Sequence, residues 1–386
     1  LPRTGLLSLA GLTAAQLLAA IGQIMLAILA GIVGAELAPE EQLATLPVAA
    51  AIVGVALCAF PTAILIRRFQ RRWVFIGGLI LASVGALLAA YAITITSFGL
   101  FTAGCFLLGC NMAVVAQYRF AAAASVPTTM TSQAVSSIML GTLAATIVMP
   151  WLIVRYRYLL DIEFSGSFAI GPIVFLAAAL IFVWLPLPSS AGDQGPVSMS
   201  FDIREQLRRK EVQLAVIAGT IGFGVMSLVM TATPVSMHAL DGHSVESTAN
   251  VIRAHMLAMY APSLVSGWLI ARVGVHRMLW AGAALEALSI IAAMSGQEPW
   301  HYGIAMILLG AGWNLLYVGG TTLLSIACRG EGATQMQGTN DLIMFGTTAT
   351  CSLSAGALLY TFGWVGMNLV AGLLLLIVVA ALLRAR

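Results

Sequence analysis

Charged side chains are scarce in this chain. Asp, Glu, Lys and Arg supply 9% of its 386 residues, where a soluble domain carries about a quarter. That shortage excludes a water-soluble globule. The 60% hydrophobic content and a mean hydropathy of +0.98 place the chain in a bilayer. Short alternating apolar segments, which would mark a membrane barrel, are missing; the apolar runs are continuous and about 20 residues long, as spanning helices require. Cysteine is also sparse. The five cysteines (Cys58, Cys105, Cys110, Cys328, Cys351) show no C-x-x-C spacing, so a structural disulfide framework is not expected. There is no Walker loop, no nucleotide fingerprint and no polar domain large enough to hold one, which excludes an ATP-driven pump and gives no sign of an enzyme. A net charge of +3, spread over loops, offers no nucleic-acid surface.

What is present is a succession of apolar runs. Twelve spans of about 20–28 residues can be read: 8–34, 42–66, 73–95, 97–118, 130–154 and 167–187, then 212–237, 248–271, 277–296, 300–327, 335–361 and 364–383. The first run is too long for a signal-peptide core and reads as a span. The polar stretch 188–211 separates a six-helix bundle at 1–187 from a second at 212–386. With the N-terminus inside, the cytoplasmic segments collect Arg3, Arg67, Arg68, Arg71, Arg72, Arg119, Arg204, Arg208, Arg209, Lys210, Arg272, Arg277, Arg329, Arg384 and Arg386. Only Arg155, Arg157 and Arg253 remain outside. Both termini are therefore expected in the cytoplasm.

A weak internal repeat agrees with six plus six. Ala63-x-Leu65-Ile66-x-Arg68 echoes Gly267-x-Leu269-Ile270-x-Arg272. Both resemble the G-x-L-x-D-R-x-G-R-R loop of the major facilitator superfamily, although Arg67 and Ala271 stand where an acidic residue is expected. The resemblance implies an all-α polytopic fold whose two halves rock around a site near the midplane.

The chemistry concentrates on spans seven and eight. Met226-x-x-x-Met230 and His255-x-x-x-Met259 each place two side chains on one helical stripe. Met230 and His255 lie about 7 residues from the outer end, and Met226 and Met259 about 11. These are two layers roughly 10 Å and 17 Å deep. Thioether and imidazole ligands favour Cu(I) over hard cations, and on a helical hairpin the two stripes could face each other as a four-point soft site; counting residues gives their depth and leaves their facing open. Gly219, Gly222 and Gly224 loosen span seven below Met226. Pro262 cannot bond back to Ala258, so a kink is expected beside Met259. At the outer mouth Met237, His238 and His243 would pass the ion inward. The plainer readings stand beside these. With 17 Met in the chain, about one Met-x-x-x-Met arises by chance, and Met226 and Met230 alone read as packing. His255 alone reads equally as an interhelical hydrogen bond.

The paired motifs resemble those of the CcoA-type copper importers, a bacterial branch of the major facilitator superfamily. Gln117-Tyr118-Arg119-Phe120-Ala121-Ala122 also looks like that branch, but related riboflavin transporters share this stretch without the metal motifs. The resemblance implies a monomeric inner-membrane importer with Met226, Met230, His255 and Met259 as copper ligands. It further implies delivery, by way of a copper chaperone, toward cbb3-type cytochrome oxidase assembly. Copper would be cargo, with no permanently bound cofactor, and thiol assistance would come from Cys58, Cys105 or Cys110. The rival reading is a carrier of a small organic solute, riboflavin-like or a drug, in which the Met and His only pack. A non-transporting copper sensor or assembly scaffold would not need twelve spans.

Polar residues within spans are functional candidates by default. Arg119 and Asp341 would bridge as an inner gate; alternatively, Arg119 is a topogenic charge and Asp341 a helix-start cap. Glu286 reads as a proton-coupling carboxylate or as a group paired within its own half. Gln16, Gln23, Gln117, Trp313, Asn314 and Tyr317 suit either a cavity lining or interhelical hydrogen bonds.

Overall fold

The structure is a computed structural model that describes residues 3–127, 131–187, 203–328 and 333–385. The chain divides into two compact units, Leu1–Asp193 and Gln194–Arg386. Among the described residues every regular element is helical. Most of the stretch expected as a linker, 188–202, lies outside them.

In the first unit α1 (Arg3–Met25) passes through a π-helical turn at Leu26–Ala30 into α2 (Gly31–Leu37). Then come α3 (Leu46–Arg68), α4 (Arg71–Thr94), α5 (Phe98–Val115), α6 (Tyr118–Ala124), α7 (Thr131–Arg155), α8 (Ser165–Ala169) and α9 (Gly171–Trp184). Burying an apolar side chain gains little when the outside is lipid, so close packing and interhelical hydrogen bonds hold such a bundle. A Cβ on Gly109 would fall 2.0 Å from the Ala51 carbonyl oxygen, so α3 and α5 meet backbone to backbone. Phe75, Tyr118 and Phe182 form one aromatic cluster, with ring centroids 4.7, 5.2 and 5.1 Å apart. Each such pair contributes about 0.5–1.5 kcal/mol. Gln16 Nε2 donates to Thr142 Oγ1 at 2.9 Å and ties α1 to α7.

The second unit holds α10 (Ile203–Gln206), α11 (Lys210–Pro234), α12 (Val245–Tyr260), α13 (Ser263–Val273), α14 (Val275–Met294), α15 (Pro299–Ala327) and α16 (Ala333–Arg384). A π-helical turn, Val235–Leu240, closes α11. The first span of each unit thus contains a π-helical turn, within the span in the first unit and at its end in the second. α16 is interrupted at Gly363, whose φ of 69° separates spans eleven and twelve. Trp364, just past that corner, donates from Nε1 to the Ala293 carbonyl at 2.8 Å.

Ten helices among the described residues are long and apolar enough to cross a membrane. The difference from twelve has two local causes. α16 carries two spans in one helix, and span eight is broken at Ala261–Pro262 into α12 and α13, each too short to cross alone. The break follows from the missing proline N–H.

Candidate functional site

α15 organises the second unit's polar interior. Both α11 and α12 pack on it, and they make little contact with each other. Spans seven and eight therefore each pack on α15 rather than directly on each other. Small residues decide this. A Cβ on Gly310 would meet the His255 carbonyl oxygen at 2.6 Å, and one on Gly222 would meet Leu316 Cδ1 at 2.8 Å.

His255 is fully buried, and its Nδ1 lies 2.7 Å from the Met306 carbonyl oxygen on α15. A carbonyl only accepts, so Nδ1 carries the proton. Nε2 is left as the lone-pair nitrogen, buried and without a hydrogen-bond partner among the described residues. This is how metal-binding imidazoles are oriented, one nitrogen fixed by a carbonyl so that the other can coordinate. Leaving such an acceptor unsatisfied costs about 1–3 kcal/mol.

Contacts of neighbouring residues bracket the methionines along α15. Thr233 Oγ1 donates to Met306 Sδ at 3.3 Å, and the Gly222 position abuts Leu316. Met230 and Met226 lie between those two anchors. On the other side His255 is tied to Met306, and Met259 offers its carbonyl to Asn314 Nδ2 at 2.7 Å. Met226 shares the α15-facing stripe of Gly222 and Thr233 and is buried, as is Met259. Met230 is half-buried on the stripe of Phe223, whose ring meets Trp313 at 5.2 Å and Phe345 at 6.1 Å.

Asn314 stands beside the helix break. It is 2% exposed, and its Nδ2 donates to the Met259 carbonyl and to Ser263 Oγ at 2.7 and 2.6 Å. It thereby satisfies a carbonyl stranded by the Pro262 break. Trp313 and Tyr317 stack at 5.2 Å with 6° between planes; Trp313 is buried and Tyr317 half-buried. Gln23 and Gln117 are half-buried in the first unit.

The outer residues are placed differently from the expectation of an open mouth. Met237 is fully buried, because the π-helical turn swings it inward. His238 Nδ1 donates to the His243 carbonyl, and His243 Nε2 to the Gln297 carbonyl, both at 2.7 Å. Beside them Tyr302 donates to Asp241 Oδ2 at 2.7 Å, and its hydroxyl lies 2.6 Å from Ser236 Oγ. The two histidines brace a loop, with one nitrogen of each engaged.

Arg119 is half-buried at the start of α6, its guanidinium 4.8 Å from the Phe120 ring centroid. Asp341 lies exposed near the start of α16, in the other unit. Glu286 on α14 is fully buried, and neither carboxyl oxygen has a hydrogen-bond partner among the described residues. The expected pairing within its own half is not seen. Cys58 and Cys110 line one pocket in the first unit, whereas all four Met and His candidates lie in the second. Met306 is the participant that the motifs do not flag. Its contribution is a backbone carbonyl, and no side-chain pattern encodes that.

Apolar helical spans in two units, with every regular element among the described residues helical, are the architecture of a polytopic membrane protein. The Major Facilitator Superfamily profile matches residues 12–249, and the chain belongs to that superfamily of secondary transporters. It is 36% identical to the riboflavin transporter RfnT of Brucella anthropi, over 97% of this chain and 95% of that one. It is 27% identical to the uncharacterized transporter YddS of Bacillus subtilis, over 81% of this chain and 76% of that one. Among solved structures, the nucleoside transporter NupG shares the fold with a TM-score of 0.75 at 12% identity, covering 97% of this chain and 98% of its own. The E. coli fucose:proton symporter FucP does so at 0.62 and 18%, over the full length of both chains.

Proposed function

We propose that this transporter imports copper, as Cu(I), across a bacterial inner membrane by alternating access. His255 Nε2 is the selecting ligand, and Met226, Met230 and Met259 supply the thioethers. The observation that carries the reading is the fully buried imidazole of His255, fixed by the Met306 carbonyl and left with a bare nitrogen. A neutral imidazole and neutral thioethers suit a soft monovalent ion and add no charge of their own to the membrane interior. On this reading the copper serves assembly of a cbb3-type oxidase, handed on by a chaperone.

A second reading has its own support. The kinship with RfnT favours a small organic solute such as riboflavin over copper, because the copper reading rests on side chains alone. Volume-conserving substitution separates the two. Met226→Leu and Met259→Leu keep the packing but remove the sulfur. The copper reading expects copper accumulation by expressing cells to fall at least about tenfold in each variant and in His255→Ala, a change of about 1.4 kcal/mol in binding. If the leucine variants accumulate copper like the parent while riboflavin uptake depends on the transporter, the organic-solute reading replaces it.

A further inference from the structure

A cavity of about 620 Å³ in the second unit lies between the start of α11 and the end of α16. Lys210 and Arg384 stand at its rim; Leu214, Ile217, Leu376 and Ile377 line its depth. The opening has a simple origin. Ala380 and Ala381 occupy the α16 stripe between Arg384 and Leu376, and their short side chains leave room where a larger residue would close the gap. From Lys210 to Ile217 the groove descends roughly 10 Å along α11. Two cations thus sit above an apolar slot on a membrane-spanning surface, at the arginine-rich end of the helices. Both cations are exposed, and the carboxylate next in sequence, Glu211, is exposed beside them. Arg209 is engaged elsewhere, with Gln206 Oε1 and the Ala327 carbonyl at 2.9 and 2.8 Å.

We infer that this groove binds an anionic phospholipid. Arg384 offers a planar fork to the phosphodiester and Lys210 a point charge. The upper acyl chains lie along Leu214, Ile217, Leu376 and Ile377. A free phosphate has no use for the apolar depth, and a zwitterionic lipid brings an ammonium of its own against the two cations, which an anionic lipid does not. Basic pockets between spanning helices are the recurring form of such sites.

Native mass spectrometry of the detergent-purified transporter tests this, after incubation with phosphatidylglycerol or phosphatidylethanolamine. The parent is expected to retain phosphatidylglycerol preferentially. The Lys210→Ala/Arg384→Ala variant should hold it about thirtyfold more weakly, the effect of two basic residues at an anionic surface. Lys210→Arg should retain it, which shows that a charge rather than the residue is needed. Ala381→Phe keeps both charges but fills the slot, and should also lose the lipid. Equal retention of both lipids by the parent, or unchanged phosphatidylglycerol binding in the double variant or in Ala381→Phe, overturns the inference.

Discussion

His255 shows how one backbone acceptor can decide the chemistry of a side chain. The Met306 carbonyl accepts a hydrogen bond from Nδ1–H and leaves Nε2 bare in a buried place. Without that bond the ring could present either nitrogen or turn away, so the tautomer is set by α15. Asn314 plays a comparable part for Met259. Asn314→Leu removes the donor to the Met259 carbonyl and is expected to cost about 1–3 kcal/mol. A lowered Tm of the purified variant, by several degrees, checks it; an unchanged Tm would show that the break finds another donor. The residue types at positions 226, 230, 255 and 259 were legible, since their i,i+4 spacing needs no coordinates. The roles of Met306 and Asn314 were not, because a carbonyl carries no sequence signal and Asn314 suits a cavity as well as a helix break.

α12 and α13 are two helices because Pro262 has no N–H to give Ala258. Pro262→Ala should let them fuse into one span. Because α12 carries His255 and Met259, the fused variant is expected to be at least as stable as the parent but to transport several-fold more slowly. Uptake measured beside thermal unfolding tests this, and a variant of unchanged speed would mean the break has no part in transport. Gly310 makes the complementary case. A Cβ there would lie 2.6 Å from the His255 carbonyl oxygen, so Gly310→Ala must push α12 off α15. A loss of about 1–3 kcal/mol is expected from such overpacking, with cargo binding weakened as well, read by thermal unfolding and by ligand titration. Sequence reading located the proline break because proline acts through its own backbone. It missed the π-helical turns at Leu26–Ala30 and Val235–Leu240, which no residue type announces. It therefore set Met237 at a mouth when the turn buries it.

At the scale of the whole chain, the spans and the superfamily could be read from hydropathy and a degenerate loop repeat, since a bilayer imposes length and polarity on every helix that crosses it. The facing of helices could not. Depth follows from counting residues, but which neighbour a stripe meets depends on where Gly310 and Gly320 let backbones approach. Cargo is a further step removed, because one superfamily fold carries many solutes. Kinship with a riboflavin transporter and a buried imidazole with a free nitrogen point to different cargoes. The most direct test is uptake into proteoliposomes holding the purified parent or His255→Ala, with Cu(I) and riboflavin offered separately. The account predicts that the parent accumulates copper and that His255→Ala, equally well folded, loses at least about nine-tenths of that uptake. Riboflavin accumulation by both proteins, with no copper uptake by the parent, would contradict it.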